Sequence, residues 1–235
     1  MYDYIVKAKF IPTPVAGRET TERLLDTAER LFGAHGYDGV GMRALAEEAK
    51  VNLGAATYHF GSKEALYIET FMRRFRPTNV ARLKLLREAE AEAKGRPLTV
   101  ERIVDCMIRP PFLQGLAHPN SHALLARNLL MPPPFLHAAI HRELKPNVEA
   151  FITALRRSLP GVPKDMIHFR VMFSMGSLLM FTAQRGAMGP AHNPKFDESI
   201  LKELVRFVSA GVQSKPAVPA AAWPPPPRPP KRPHG

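Results

Sequence analysis

The chain has 235 residues, 45% of them hydrophobic, and 33 Lys and Arg against 21 Asp and Glu give a net charge of +12. At roughly 150 residues per domain, this length makes one large domain or two small ones with a core that needs no covalent staple. The single cysteine, Cys106, excludes an internal disulfide and points to a reducing, cytoplasmic setting. The start, MYDYIVKAKF, lacks the apolar run of a signal peptide. The longest charge-free apolar stretch, Val171 to Ala183, is shorter than the roughly 20 residues that cross a bilayer, so neither secretion nor a membrane partner is expected.

The basic balance is unevenly spread. Residues 1–76 carry 11 basic and 10 acidic side chains, residues 77–214 carry 18 and 11, and residues 215–235 carry 4 and none. Charge alone supports only non-specific association with nucleic acid, so a DNA reading has to rest on a motif.

In chain order, residues 1–17 contain Pro12 and Pro14 without sustained periodicity and read as a flexible arm. Leu24, Leu25, Ala28, Leu31 and Phe32 form one helical stripe that Gly36 is placed to stop. Met42, Leu45, Ala46 and Ala49 predict a second, short helix. Lys50-Val51-Asn52 is a tight connection in which Asn52 can cap a third helix, Leu53 to Phe60. Gly61 breaks that helix and Ser62 caps a fourth, with Glu64 at its positive end. Proline lacks a donor and clashes one turn back, so a break is expected at Arg76-Pro77. Further helices are expected at about 79–94, 98–109, 120–131, 135–158, 163–187 and 196–213, divided by Pro110-Pro111, Pro132-Pro133-Pro134, Pro160-Gly161 and Gly189-Pro190. Residues 215–235 hold 9 prolines and no acid, and read as a disordered, basic, Pro-rich tail. No stretch has a period of two, so the fold class is all-α.

Two short helices joined by three residues and packed on another form a helix-turn-helix. In the second, small residues Gly54, Ala55 and Ala56 let backbone approach base edges, while Thr57, Tyr58 and His59 offer donors to phosphates. Lys63 adds a charge beside a helix N-terminus, itself an anion site. The stretch TTERLLDTAERLFGAHGYDGVGMRALAEEAKVNLGAATYHFGSKEALY resembles the DNA-binding domain of the TetR family of bacterial transcriptional regulators. It combines A-x-x-L-F followed by Gly36, L-A-x-x-A, and H-F-G-S-K.

The resemblance implies a homodimeric repressor whose N-terminal domains enter successive major grooves of a double-stranded, palindromic operator. Larger C-terminal domains would dimerise and bind a small apolar effector that releases DNA. By position, Gly54 and Ala55 would face bases with Asn52 and Leu53 beside them, His59 and Lys63 would hold phosphates, and Arg43 would reach a base, an arginine fork fitting guanine O6 and N7. Gly41-Met42 stands where the family often has a Ser/Thr pair. Thr57 takes the place of its usual aromatic, with Tyr58 one residue later, leaving open which of these two meets phosphate. Leu24, Leu31, Phe32, Leu45, Ala46, Val51 and Phe60 are expected to form the core of this headpiece.

The implied organisation is an arm at 1–17, a three-helix helix-turn-helix domain at 18–64, a larger helical effector-binding and dimerisation domain at 65–214, and the tail at 215–235. Met166 to Ala183 is apolar around its circumference and is expected to face both its own core and a partner, with Gly176 and Ser177 allowing close approach. The last helix, with Ile200, Leu201, Leu204, Val205, Phe207 and Val208, would complete a four-helix dimer interface.

Met107, Phe112, Phe151 and Phe173 are candidate effector-pocket residues, with His168 and Arg170 as partners for an anionic head group. Arg170 has a second reading, as a buried arginine paired with an internal acid such as Glu149. Phe169-Arg170-Val171-Met172-Phe173 and Val51-Asn52-Leu53 are similar to the branch of the family that answers to fatty acids or acyl-CoA. His137 and His141 have i, i+4 metal-ligand spacing with Glu143 and Cys106 as conceivable additions, but they read as solvated or capping histidines and no metal or other cofactor is expected. A metal-responsive regulator is a lesser alternative, and a DNA-architectural protein without an effector is the other. No phosphate loop, G-x-S-x-G elbow or apolar carboxylate pair suggests an enzyme.

Overall fold

The helical periodicity is realised along the chain. In the computed structural model, which describes residues 15–184 and 193–217, the helices are α1 (Val15–His35), α2 (Met42–Glu48), α3 (Leu53–Phe60), α4 (Lys63–Glu92), α5 (Val100–Ala117), α6 (Pro119–Leu130), α7 (Pro134–Ser158), α8 (Lys164–Gln184) and α9 (Pro194–Gln213). No strand occurs among the described residues. The expected arm is shorter than 1–17, because helix starts at Val15; residues 1–14 and all but the first three residues of the expected tail lie outside the described residues.

Local chemistry sets the headpiece. Gly36 ends α1 at φ +74°, its N–H donating to the Phe32 carbonyl at 2.9 Å. After α2, Val51 N–H donates to Ala46 O at 2.9 Å and Lys50 N–H to Glu47 O at 3.0 Å, the paired bonds of a Schellman motif. That motif puts Lys50 at φ +54°, a left-handed position normally given to glycine. Asn52 Oδ1 then accepts from Gly54 N–H at 2.7 Å to start α3, and Ser62 Oγ accepts from Ala65 N–H at 3.1 Å to start α4.

Two expected breaks do not occur. α4 continues through Pro77, and α5 continues through Pro110 and Pro111, so the segments expected at 79–94 and 98–109 are parts of longer helices. The Pro77 ring is exposed, so water can replace the donor that its nitrogen lacks, while Phe75, Thr78 and Asn79 stay buried on the inner side. At Pro111 the orphaned acceptor, one turn back, is the Met107 carbonyl, and Arg82 Nε of α4 donates to it at 2.8 Å.

The expected boundary at 64/65 therefore falls inside the first turn of α4. Leu24, Ala46, Ala49 and Ala56 make a small core of their own, with Val51 and Phe60 packed against it. Leu25, Phe32 and Leu45 join Leu66, Tyr67, Phe71 and Phe75 of α4, Leu124 of α6 and Leu136 of α7 in a second core. A third lies among α4, α5, α7, α8 and α9. Buried Glu29 of α1 accepts from Arg74 Nε of α4 at 2.8 Å and from Ser121 Oγ of α6 at 2.6 Å, tying the headpiece to the bundle. Phe32, Tyr37, Tyr67 and Phe135 form an aromatic cluster at the same junction, and Tyr67 Oη donates to Asn128 Oδ1 at 2.9 Å.

Counted through Arg170, α8 is 21 residues and is long and apolar enough to cross a membrane by length and composition, which corrects the count of Val171 to Ala183 alone. Its inner face, Ile167, Arg170, Val171, Ser174 and Leu178, is buried in the bundle.

Lys50→Gly relieves the left-handed lysine without touching the caps. It should raise the unfolding free energy by about 1 kcal/mol in chemical denaturation.

Candidate nucleic-acid interface

α3 has only 8 residues, so packing and caps must hold it rather than its own propensity. Ala56 is fully buried against Leu24, Ala46 and Ala49, and Phe60 packs there too. The opposite side is left to solvent: Asn52, Leu53, Gly54, Thr57 and Tyr58 are exposed, with Tyr58 at 81%, while Ala55 and His59 are half-buried at its margins. The Tyr58 and His59 rings meet edge-on at 5.6 Å.

Three of these residues also serve the fold. The Asn52 side-chain oxygen is engaged as the cap of α3. A Cβ at Gly54 would come within 3.1 Å of that oxygen, so the glycine spares the cap as well as leaving room outside. Thr57 Oγ1 donates to Leu53 O at 3.0 Å, so its hydroxyl hydrogen is already used and Tyr58 is the open hydroxyl of the two.

Lys63 opens α4, where backbone N–H groups and the helix dipole favour an anion. Its ammonium lies 4.2 Å from the centroid of the Tyr37 ring, a cation–π contact that fixes it near the surface. Tyr37 escaped the sequence reading because nothing in the spacing between residues 37 and 63 announces the contact. Burial, with Glu64 and Asp38 adding to it, pushes the Tyr37 phenol pKa up, so the ring stays neutral under the cation.

Arg43 is exposed on the first turn of α2. Three acids of α1 are held by α4: Arg73 binds Asp26 at 2.5 Å and Glu22 at 3.4 Å, and Arg74 holds Glu29. Arg30 binds Glu48 at 2.5 Å. Among the described residues Arg43, Lys50 and Lys63 form no ion pair, so these cations remain open to an outside anion.

The six expected effector residues do not come together. Met107, Phe112 and Phe151 are buried in the bundle core, where Phe112 stacks on Phe181 at 5.6 Å. His168 is exposed and Phe173 is 69% exposed on the outer face of α8, because the helix turns those positions away from Ile167, Arg170 and Val171. Arg170 is buried but faces neither an effector space nor Glu149. Its guanidinium donates to the carbonyls of Val212 at 2.5 Å and Ser214 at 2.8 Å, closing the C-terminal end of α9, while Glu149 lies 4.0 Å from Lys145. Two open surface concavities of 820 and 560 Å³ lie along α7 and at its C-terminal turn, and none of the six residues lines either.

His137 and His141 line the larger concavity with Arg142, Lys145 and Glu149, and His137 Nε2 lies 2.9 Å from Pro132 O. Glu143 pairs instead with Arg76 at 3.8 Å, and Cys106 is buried in the core, its thiol pushed up to about 11 chiefly by that burial. Among the described residues no three of His, Cys, Asp and Glu form a group that could hold a metal ion.

Comparison with known proteins follows this division of the chain. Residues 24–70 match the family described as bacterial regulatory proteins, tetR family, and residues 105–211 match the tetracyclin repressor-like C-terminal domain. The chain is 32% identical over 108 residues to the HTH-type transcriptional repressor AcnR of Corynebacterium diphtheriae, covering 46% of each protein. It is 33% identical over 90 residues to the regulator AcrR of Shigella flexneri, covering 38% of this chain and 40% of AcrR. With the repressor NicS of Pseudomonas putida it shares 34% over 116 residues, 47% of this chain and 54% of NicS. The chain thus spans about half the length, or less, of these relatives. Among solved structures, the fatty acid degradation regulator FadR of Bacillus halodurans superposes with a TM-score of 0.65 at 15% identity, covering 83% of this chain and 97% of FadR. PfmR of Thermus thermophilus does so at 0.60 and 19%, covering 82% and 100%. At these identities the likeness is one of fold.

Proposed function

Since the chain belongs to the TetR family of bacterial regulatory proteins, we propose that it is a cytoplasmic transcriptional repressor. As a homodimer it holds a palindromic DNA operator, and it lets go when a small apolar effector enters the helical bundle. The observation that carries the reading is the solvent-facing side of α3, held by two caps and a buried alanine and flanked by Arg43, Lys50 and Lys63, which form no ion pair among the described residues.

In this reading Leu53, Gly54 and Ala55 lie against base edges, with a methyl or bare backbone allowing close approach, and Arg43 reads a base from α2. Tyr58, His59 and Lys63 hold phosphates, Thr57 and the amide nitrogen of Asn52 adding weaker contacts. Lys63 brings the largest electrostatic share, because a helix N-terminus and an ammonium act on one anion.

The homodimer is supported by the outer faces of α8 and α9. Phe169, Met172, Phe173 and Met180 on one helix, and Phe196 and Phe207 on the other, are exposed, and a Cβ at Gly176 would meet nothing within 4 Å. Large apolar side chains exposed on two helices in this number are what a second copy would cover. A two-fold axis between the helix pairs gives a four-helix interface, and this assigns the apolar surface of α8 to a second copy rather than to lipid.

For the effector we retain an apolar compound such as a fatty acid or acyl-CoA, accommodated among the methionines and phenylalanines of the bundle core. Its head group does not go to His168 or Arg170, whose positions serve the outer face and the end of α9.

Selecting bound duplexes from a random library, with and without long-chain acyl-CoA, tests the function. The expected result is a two-fold symmetric site whose enrichment falls when acyl-CoA is present. Enrichment that acyl-CoA leaves untouched would remove that ligand class, and no enrichment would favour the architectural alternative. Tyr58→Phe with Lys63→Ala should weaken binding to all duplexes and reduce the slope of log K against log salt by about 1, the loss of the one charged phosphate contact of the pair, measured by fluorescence anisotropy. Phe173→Asp should place charges across the two-fold axis and shift the chain to monomer in light scattering with its helical content intact.

A further inference from the structure

Arg82 and Asn79 lie on the inner side of α4 at 5% and 1% exposure. Arg82 Nε serves the Met107 carbonyl, and Nη1 donates to Asn79 Oδ1 at 3.2 Å. Nη2 finds only the thioether of Met175, 3.4 Å away, and sulfur is among the weakest acceptors a side chain offers. No carboxylate pairs with this arginine among the described residues, and burial pulls its pKa down to about 10, still charged at neutral pH. Asn79 Nδ2 is buried with no hydrogen-bond partner among the described residues.

Everything still unspent here is a donor. Of the five guanidinium hydrogens three are engaged, one of them by sulfur, and both amide hydrogens of Asn79 remain. Covering the Met107 carbonyl needs a single N–H and no charge, so the fold alone does not account for a buried cation beside a second set of idle donors. Met107 and Met175, which meet the guanidinium, belong to the apolar core that also holds the stacked Phe112 and Phe181. Methionine side chains yield space readily.

We propose that Asn79 and Arg82 form the head-group end of an internal ligand site among α4, α5 and α8, which takes an apolar monocarboxylate. The carboxylate oxygens receive the Asn79 amide and the outer guanidinium hydrogens, displacing the Met175 sulfur, and the hydrophobic part of the ligand moves the Met107 and Met175 side chains aside. The site rests on the effector-responsive reading above and names the chemical class of that effector.

Calorimetric titration of the full-length chain tests it, with decanoate, hexadecanoate and 4-phenylbutyrate as acids and decanamide as the uncharged isostere of the first. Decanoate should bind at least about tenfold more tightly than decanamide. Asn79→Asp supplies an internal carboxylate to Arg82, so it should keep or raise the thermal midpoint while weakening decanoate by roughly a hundredfold. Asn79→Leu, which removes the donors without adding a charge, should weaken decanoate as well and covers the case in which the aspartate variant fails to fold. Equal affinity for acid and amide, undiminished binding by both variants, or no binding of any of the three acids would overturn the proposal. A chain that selects a duplex yet binds no acid sinks this site alone. One that binds decanoate but selects no duplex sinks the regulator reading and leaves the site.

Discussion

One helix belongs to two cores, and the architecture depends on its staying whole. The first half of α4 puts Leu66, Tyr67, Phe71, Met72 and Phe75 into the core shared with α1, and its second half puts Leu86 and Ala89 into the bundle of α5 and α7–α9. A proline inside a helix costs about 3 kcal/mol. Each large apolar side chain recovers about 1.5–3 kcal/mol on burial, so a break at Pro77 that detached either half would cost more than it relieved. The headpiece is consequently built onto the bundle instead of hanging from it. Glu29 marks the joint, since it takes Arg74 from α4 and Ser121 from α6 at once.

That joint constrains how the headpiece can move against the bundle. A shift of α4 or α6 has to carry Glu29, and with it α1, because leaving Arg74 without its carboxylate strands a largely buried charge. α3 is further out along the same path. Its buried side rests on Leu24 of α1 and on Ala46 and Ala49 of α2, so its orientation follows α1. The small residues of α3 consequently answer two demands: Ala56 is there for the core, Gly54 for the cap, and Ala55 has no packing duty of comparable strength.

Local rules made much of this legible. Asn52, Ser62 and Gly36 occupy the caps and stop that their chemistry dictates, and the stripe Leu24, Ala28, Phe32 is buried as its spacing requires. The all-α class and the family followed from the same features. Legibility failed where a distant residue changed the local balance. Pro111 reads as a helix breaker until Arg82, 29 positions earlier in the sequence, covers the orphaned carbonyl. Lys50 carries no turn signal, yet the Schellman bonds impose a left-handed backbone on it. The candidate pocket residues are divided between the core and the outer face for a geometric reason. Met107 and Phe173 look alike in composition, but only the helix phase decides that one points into the bundle and the other out of it.

Three buried or largely buried arginines show how environment sorts identical letters into different roles. Arg74 has a carboxylate. Arg170 has two carbonyls at the C-terminal end of α9, where the helix dipole is negative, so a cation there is stabilised by partners that are always present. Arg82 has one carbonyl, one amide oxygen and one sulfur, and none of them carries a charge. Desolvation affects any buried guanidinium, but of these three Arg82 alone has, among the described residues, neither a counter-ion nor a helix end to offset it. Tight packing around it does not remove that imbalance. The imbalance lies beside Met107 and Met175, flexible side chains that yield more readily than branched or aromatic ones, so on the proposed reading an incoming anion would meet an uncompensated cation and pliable neighbours together.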